Sequence, residues 1–363
     1  MIDIQSKYNK LRYTNERTAL LSFLKKNYNY FGSNLRLFGI LTDKDIEELK
    51  KVFESYGVHC KLLGEILQCH MDFIGEDKKI KRIEFFCILN VDKSYLQVFT
   101  FAPASELSYI DKIIRDSHGL YYLWISPKTL DHIKNEVIGS YEETRITFFT
   151  AKRFDNMNER CEIRPGFRRS FRYGGDDGRE TLQELKQNYG VLPRTIHFKI
   201  PMVSEFRVNY RGLFTFQHGD LDYMLSLFEY ALDEILKTKK IIESSVYQRI
   251  TQKRKYREIN FEKIIPMSIK LSSPLNPESC NKLINLVNGS SEFFSITEAI
   301  IEGSLYFSST LIDRDKNESF IINSNGPEIN VVKDSSTSFA SILKFYQFIV
   351  ERFDVDASVA ILD

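Results

Sequence analysis

From Arg160 to Tyr173 the chain reads Arg-Cys-Glu-Ile-Arg-Pro-Gly-Phe-Arg-Arg-Ser-Phe-Arg-Tyr. This interleaving of arginine with aromatic residues suits a polyanion. A guanidinium forks onto phosphate oxygens, and an aromatic face stacks on a base. Arg160, Arg164, Arg168, Arg169 and Arg172 are therefore candidate phosphate contacts, with Phe167, Phe171 and Tyr173 as candidate stacking groups. The competing reading is a hairpin whose arginines pair with surface carboxylates and whose rings are core. A second cluster, Lys253, Arg254, Lys255 and Arg257, follows about eighty residues later. It reads either as a phosphate-contacting patch or as the solvated end of a helix, where cations are favourable.

Charge bookkeeping sharpens the point. Lys237 to Arg257 holds eight cations against Glu243, and Lys152 to Arg172 holds seven against Asp155, Glu159 and Glu162. Net charges of +7 and +4 inside a chain of formal charge +1 leave −10 on the remainder. Such asymmetry points to a polyanionic partner, most simply nucleic acid, and the two segments are expected on one surface.

Other constellations carry less chemistry. Gly174-Gly-Asp-Asp-Gly178 precedes a helix pattern, yet no Gly-Lys-Ser/Thr follows, and Asp176 and Asp177 repel an anion. Capping of the helix is their simpler role. His59-Cys60 and Cys69-His70 resemble a zinc set. If they flank a hairpin turning near Gly64, the cysteines share one face and the histidines the other, so four ligands do not converge. Asp72, Glu76, Asp77 and Lys78 have the residue types of a metal-dependent nuclease. They crowd one short polar stretch, whereas that chemistry needs carboxylates on adjacent strands. His197 and His218 lack a nucleophile in a recognisable setting. No metal and no cofactor is expected.

The elements that would position these groups alternate along the whole chain, without a detectable sequence repeat. Thr42 is read as the cap of a helix over 43–56, Ser105 as the cap of the next, and Ser126-Pro127 as the start of a third. Strand patterns cover 59–70, 82–90, 94–102 and 144–150, with Asp92-Lys93 as a tight turn. Further strands are expected at 196–200 and, as one run, at 205–216. Asp220 caps the longest helix pattern, with Leu221, Met224, Leu225, Phe228, Leu232, Ile235 and Leu236 as its buried stripe. The basic run at 237–257 continues from that helix. Asn276-Pro277 starts another helix, 299–333 is strand-rich, and Ser335-Ser-Thr-Ser338 caps the last helix. Mixed helices and hairpins imply an α+β fold of several helix/antiparallel-strand domains, with a strand-rich C-terminal region. The expected domains are 1–150 (N-terminal α+β), 151–261 (central, carrying the basic segments and the long helix) and 262–363 (C-terminal α+β).

No apolar run reaches the ~18–20 residues of a membrane helix, and the N-terminus lacks a signal-peptide pattern. The five cysteines, odd in number and scattered, suit reduced thiols in a cytoplasm. The reading favours a non-catalytic, nucleic-acid-binding recognition or scaffold subunit of a larger cytoplasmic assembly, with a protein partner or a second copy as further company. Prokaryotic defence against phage is the setting suggested by composition. The alternatives are a metal-dependent nuclease and a protein-interaction scaffold that meets acidic partners.

Overall fold

A computed structural model describes residues 16–31, 34–74, 78, 80–90, 92, 94–154, 169–254, 257–300, 307–324 and 326–361. The fold is α+β, with antiparallel sheets and a strand-rich C-terminal region. The chain divides into two compact units. The first holds the residues up to Lys152 together with 169–187 and 192–233; the second holds those from Glu234 onward with 153–154 and 188–191. Among the described residues no helix is long and apolar enough to cross a membrane.

The first unit is built on β1 (Leu35–Thr42), whose residues are buried save Arg36. After it come α2 (Ile46–Ser55), β2 (His59–Leu63), β3 (Ile66–Ile74), β4 (Ile80–Leu89), β5 (Tyr95–Thr100), α3 (Ser108–Asp116) and β6 (Leu120–Tyr122), with α1 (Arg17–Asn27) preceding β1. Next are α4 (Pro127–Ser140), β7 (Arg145–Arg153), β8 (Ser170–Gly174), α5 (Gly178–Tyr189), β9 (Val191–Ile200), β10 (Ser204–Asn209), β11 (Phe214–Gly219) and α6 (Leu221–Ser244). The strands form one sheet in the order β2-β3-β4-β5-β1-β11-β10-β9-β7-β8, with β6 also on β1. One edge of β1 pairs with β5 along Arg36–Leu41. The other edge is shared: Leu35–Leu37 pair with β11, and Ile40–Thr42 pair with β6.

Helices α2 and α3 cover one face of β1–β5. Leu49, Phe53, Ile110, Ile113 and Ile114 bury there against Phe38, Ile40, Phe85 and Val98. On the opposite face α6 packs on β1, β10 and β11. The Phe228 ring meets Phe214 edge-on at 5.5 Å, and Tyr223 meets Phe206 at 6.2 Å. The expected stripe of α6 is buried except for Leu236, as a 3.6-residue period requires.

In the second unit β12 (Val246–Arg254) and β13 (Arg257–Ile265) form a separate hairpin. A six-stranded sheet follows from β14 (Met267–Lys270), α7 (Pro277–Asn288), β15 (Phe293–Ile300), β16 (Phe307–Asp313), β17 (Glu318–Ser324), β18 (Glu328–Lys333), α8 (Phe339–Arg352) and β19 (Ser358–Ile361). Its order is β15-β16-β17-β18-β14-β19, with β18 and β19 on opposite edges of β14. This is the order of β2-β3-β4-β5-β1 with β6 on the far edge of β1. The element sequence β-α-β-β-β-β-α-β thus occurs twice, a repeat of topology where the amino-acid sequence shows none.

Local chemistry explains most element ends. Ser126 Oγ accepts from Thr129 N ahead of Pro127, and Asn276 closes a capping box with Ser279 ahead of Pro277. Asp220 Oδ1 accepts from Asp222 N at 2.8 Å, capping α6. Four expectations are corrected. Asp45, not Thr42, caps α2, because its carboxylate reaches Glu47 N and Glu48 N while Glu48 bonds back to Asp45 N. Ser105 does not cap α3, which begins at Ser108; the Ser105 carbonyl instead accepts from Ser108 Oγ. The run 205–216 is two strands, since Asn209 Oδ1 accepts from Arg211 N and Leu213 N around Gly212, whose φ is 66°. Finally, Ser338 stands at the N-cap of α8, but its side chain caps nothing. Its N–H and hydroxyl both donate to Glu318 Oε2 at 2.8 Å.

That last contact belongs to a buried polar cluster at the β16–β17 turn. The fully buried Asp313 accepts from Lys344 Nζ at 2.5 Å and Ser341 Oγ at 2.9 Å, and Lys344 also reaches Asp315 at 2.7 Å. Burial pushes the neighbouring Lys316 ammonium down to about 8, although Asp313 and Glu318 favour its charge. Removing one member of such a pair strands the other in an apolar core. Lys344→Ala is expected to destabilise the protein by about 3–5 kcal/mol, read from urea unfolding. At β1, a Cβ on Gly39 would stand 3.0 Å from Leu123 Cβ. Gly39→Val is expected to lower stability by about 1–3 kcal/mol through overpacking, visible in the same assay.

Candidate nucleic-acid interface

Strands β7 to β11 carry the constellation that best suits a polyanion. Alternation sends Ile196, Phe198, Phe206, Val208, Phe214 and Phe216 into the core. The residues between them face the other way. Antiparallel register sets Arg207 beside His197 on β9 and beside Thr215 on β11. Lys199 stands opposite Glu205, and Thr150 on β7 stands opposite Arg172 on β8. Arg172, Lys199 and Arg207 are exposed, while Phe148, Thr150 and Lys152 are half-buried.

Phe148 organises this face. The Arg207 guanidinium carbon lies 4.9 Å from its ring centroid, and that of Arg172 lies 5.5 Å away. Two cations contributed by β8 and β10 therefore converge on one aromatic ring of β7. The attraction is that of a cation for the ring's negative face. It holds both guanidiniums over the sheet while leaving N–H donors on each to meet an anion.

His197 sits beneath this surface. Its Nδ1 is 2.9 Å from Thr147 Oγ1, and its Nε2 is 3.2 Å from Glu205 Oε1. Burial, followed by the positive charges of Arg207 and Lys199, pushes its pKa below the ordinary value, although Glu205 works the other way. Burial therefore favours the neutral ring, whose Nε2 faces the Glu205 carboxylate without a hydrogen bond to it. The other oxygen of Glu205 lies 3.0 Å from the exposed His218. Glu205 is thereby engaged by two histidines, against Lys152, Arg172, Lys199 and Arg207 as the cations of the face.

The residues expected from sequence are distributed as follows. Arg160, Arg164, Phe167, Arg168 and Lys255 lie outside the described residues. Arg169 is half-buried just before β8, and Phe171 and Arg172 lie on β8. Tyr173 stacks on buried Phe149 at 5.1 Å, and its hydroxyl donates to Asp177. Its ring and hydroxyl are therefore already engaged in holding β8 to the start of α5. Lys253 and Arg254 end β12, and Arg257 begins β13. The expected helix continuation is corrected here: α6 ends at Ser244, and Val246, Ile250 and Thr251 belong to a hairpin, as β-branched residues prefer. Within the same basic run, Lys239 is buried, bonded to Glu243 and 4.6 Å from the Phe339 ring, so it serves packing. The Phe148 contact with Arg207 escaped the sequence reading because the in/out alternation slips between Ile146 and Phe149, both of which are buried.

The remaining candidates resolve structurally. Gly178 opens α5 where a Cβ would strike Ile146 O at 2.1 Å, so close approach explains that glycine. Asp72 forms a two-pronged pair with Arg82 at 2.7 and 2.8 Å rather than meeting a second carboxylate. Glu76 and Asp77 lie outside the described residues. His59 pairs with His70 and Cys60 with Cys69 across the β2–β3 hairpin, so the two residue types occupy opposite faces.

A depressed histidine pKa has a defined effect on stability. Above the unfolded-state value of 6.5 the ring is neutral in both states, and its contribution is complete. As pH falls through 6.5 the unfolded chain takes up a proton that the folded ring refuses, and stability is lost. His197→Gln is expected to flatten this decline between pH 6.5 and 5 relative to the parent, measured by urea midpoints. His70, lowered by burial and by Arg82 and His59, contributes to the decline in the same sense.

Two comparisons bear on this region. Residues 128–211, which run from the second residue of α4 past the end of β10, match the AF_0896_M family middle domain. A protein of Archaeoglobus fulgidus described as an uncharacterized protein is 26% identical over 267 residues, covering 70% of each chain.

Proposed function

We propose that this protein binds nucleic acid through the outer face of β7–β11, as a non-catalytic recognition or scaffold subunit of a larger assembly. The observation that carries the reading is the convergence of Arg172 and Arg207 on Phe148. Guanidiniums held at fixed spacing on a rigid sheet meet successive phosphates with little loss of side-chain freedom. Lys152 and Lys199 extend the positive field along the neighbouring strands. Lys253 and Arg254 at the end of β12 and Arg257 at the start of β13 are a second phosphate-contacting element in this reading, and a cytoplasmic location is part of the same proposal.

Binding of a labelled single-stranded oligonucleotide, followed by fluorescence anisotropy across a salt series, tests the proposal. Each phosphate contact contributes about 0.7 to the log–log salt slope on a single strand. Arg172→Ala combined with Arg207→Ala is expected to weaken binding for all base sequences alike and to lower the slope by about 1.4. A loss confined to one base sequence would mean direct base readout by these arginines. Undetectable binding of DNA and RNA at low salt by the folded chain would sink the reading and favour a surface for an acidic protein partner.

A further inference from the structure

Three of the five cysteines meet on the core side of β2, β3 and β4. Cys60 and Cys69 are direct cross-strand partners in the β2–β3 hairpin, and their Sγ atoms stand 3.3 Å apart. Cys69 is fully buried, while Cys60 on the edge strand is half-buried. Cys87 on β4 belongs to the same buried cluster as Cys69, and its neighbouring thiol adds to the upward push on the Cys69 pKa. The hairpin is held in this register by a two-residue turn in which Gly64 adopts a φ of 56°. On its opposite face His59 and His70 stack at 5.0 Å. The dithiol is thus presented by a register that cannot slip without turning both sulfurs away from each other.

We propose that Cys60 and Cys69 form a reversible dithiol–disulfide site, closed by a two-electron oxidant of the peroxide class. The half-buried Cys60 is the sulfur that such an oxidant reaches first. Its thiolate attacks one peroxide oxygen, the O–O bond breaks, and the departing hydroxide takes up a proton to leave as water. Cys60 is then a sulfenic acid. The sulfur of Cys69 attacks the Cys60 sulfur, the S–O bond breaks, and a second water leaves with the Cys69 proton. Two thiols and one hydrogen peroxide become one disulfide and two waters. The Cys69 thiol is pushed well above its ordinary pKa by burial and by the neighbouring thiols of Cys60 and Cys87, so it remains protonated until Cys60 has reacted. The product pins edge strand β2 to β3, and a dithiol reductant restores the thiols.

The full-length protein, treated with hydrogen peroxide under native conditions, is alkylated in denaturant and mapped by peptide mass spectrometry. The expected product is a cross-link between the Cys60 and Cys69 peptides, lost on dithiothreitol treatment, with the buried Cys280 of α7 still alkylated. Cys60→Ser should abolish the cross-link and leave Cys69 alkylated, whereas Cys87→Ser should leave the cross-link intact. A parent protein whose Cys60 and Cys69 both remain alkylatable after oxidation overturns the proposal. So does a cross-link between Cys69 and Cys87. Because the parent map alone separates these outcomes, the test does not depend on the variants folding.

Discussion

The divided edge of β1 is the constraint on which the first unit rests. A strand has two hydrogen-bonding edges, and a buried backbone group without a partner is costly. β5 takes one edge of β1. The second edge is shared end to end between β11, along Leu35–Leu37, and β6, along Ile40–Thr42. Between these partners Leu123 N donates to Gly39 O at 2.8 Å, so the handover leaves no gap at that carbonyl. Three residue pairs with β11 join the sheet of β2–β5 to that of β7–β10. The absence of a Cβ at Gly39 lets the Leu123 segment approach, and Phe228 of α6 fills the space beyond.

The same element order in the second unit shows what is added at β1. β14 also carries a neighbour on each edge, β18 and β19, but its second edge is used by one strand alone. In the first unit the corresponding strand is longer, and the extra residues accept β11. The sheet thereby grows from six strands to eleven, and β7–β11 gain a position as its extension. The apolar side of that extension is closed by α6. Its other side bears Arg172, Lys199 and Arg207, whose charges need solvent or an anion.

Charge placement on that side is economical. Among the described residues Arg172 and Arg207 are held by Phe148 and pair with no carboxylate. Glu205 is drawn instead toward His197 and His218. Elsewhere cations are consumed by structure: Lys344 by Asp313 and Asp315, Lys239 by Glu243, and Lys134 with Lys186 by Asp131. The strength of a basic segment in sequence is therefore a poor guide to the charge it presents, since partners are distributed by the fold.

Local patterns determined most of the element types, the hairpin over 246–265 being the main exception, because the interactions behind them span only a few residues. Ser126-Pro127, Asn276-Pro277 and Asp220 mark helix starts through bonds made within one turn. The stripe of α6 follows from its period, and the Cys60–Cys69 and His59–His70 pairings follow from a hairpin around Gly64. The α+β class and the strand-rich C-terminal region follow from the same signals. Only the tertiary structure decided which strands met across long separations. Leu35 pairs with Phe216, and Arg207 reaches Phe148, through contacts that no local period encodes. The repeated topology was hidden for a related reason. A strand order is defined by backbone hydrogen bonds, which many side-chain sequences satisfy, whereas a sequence repeat requires the side chains themselves to recur.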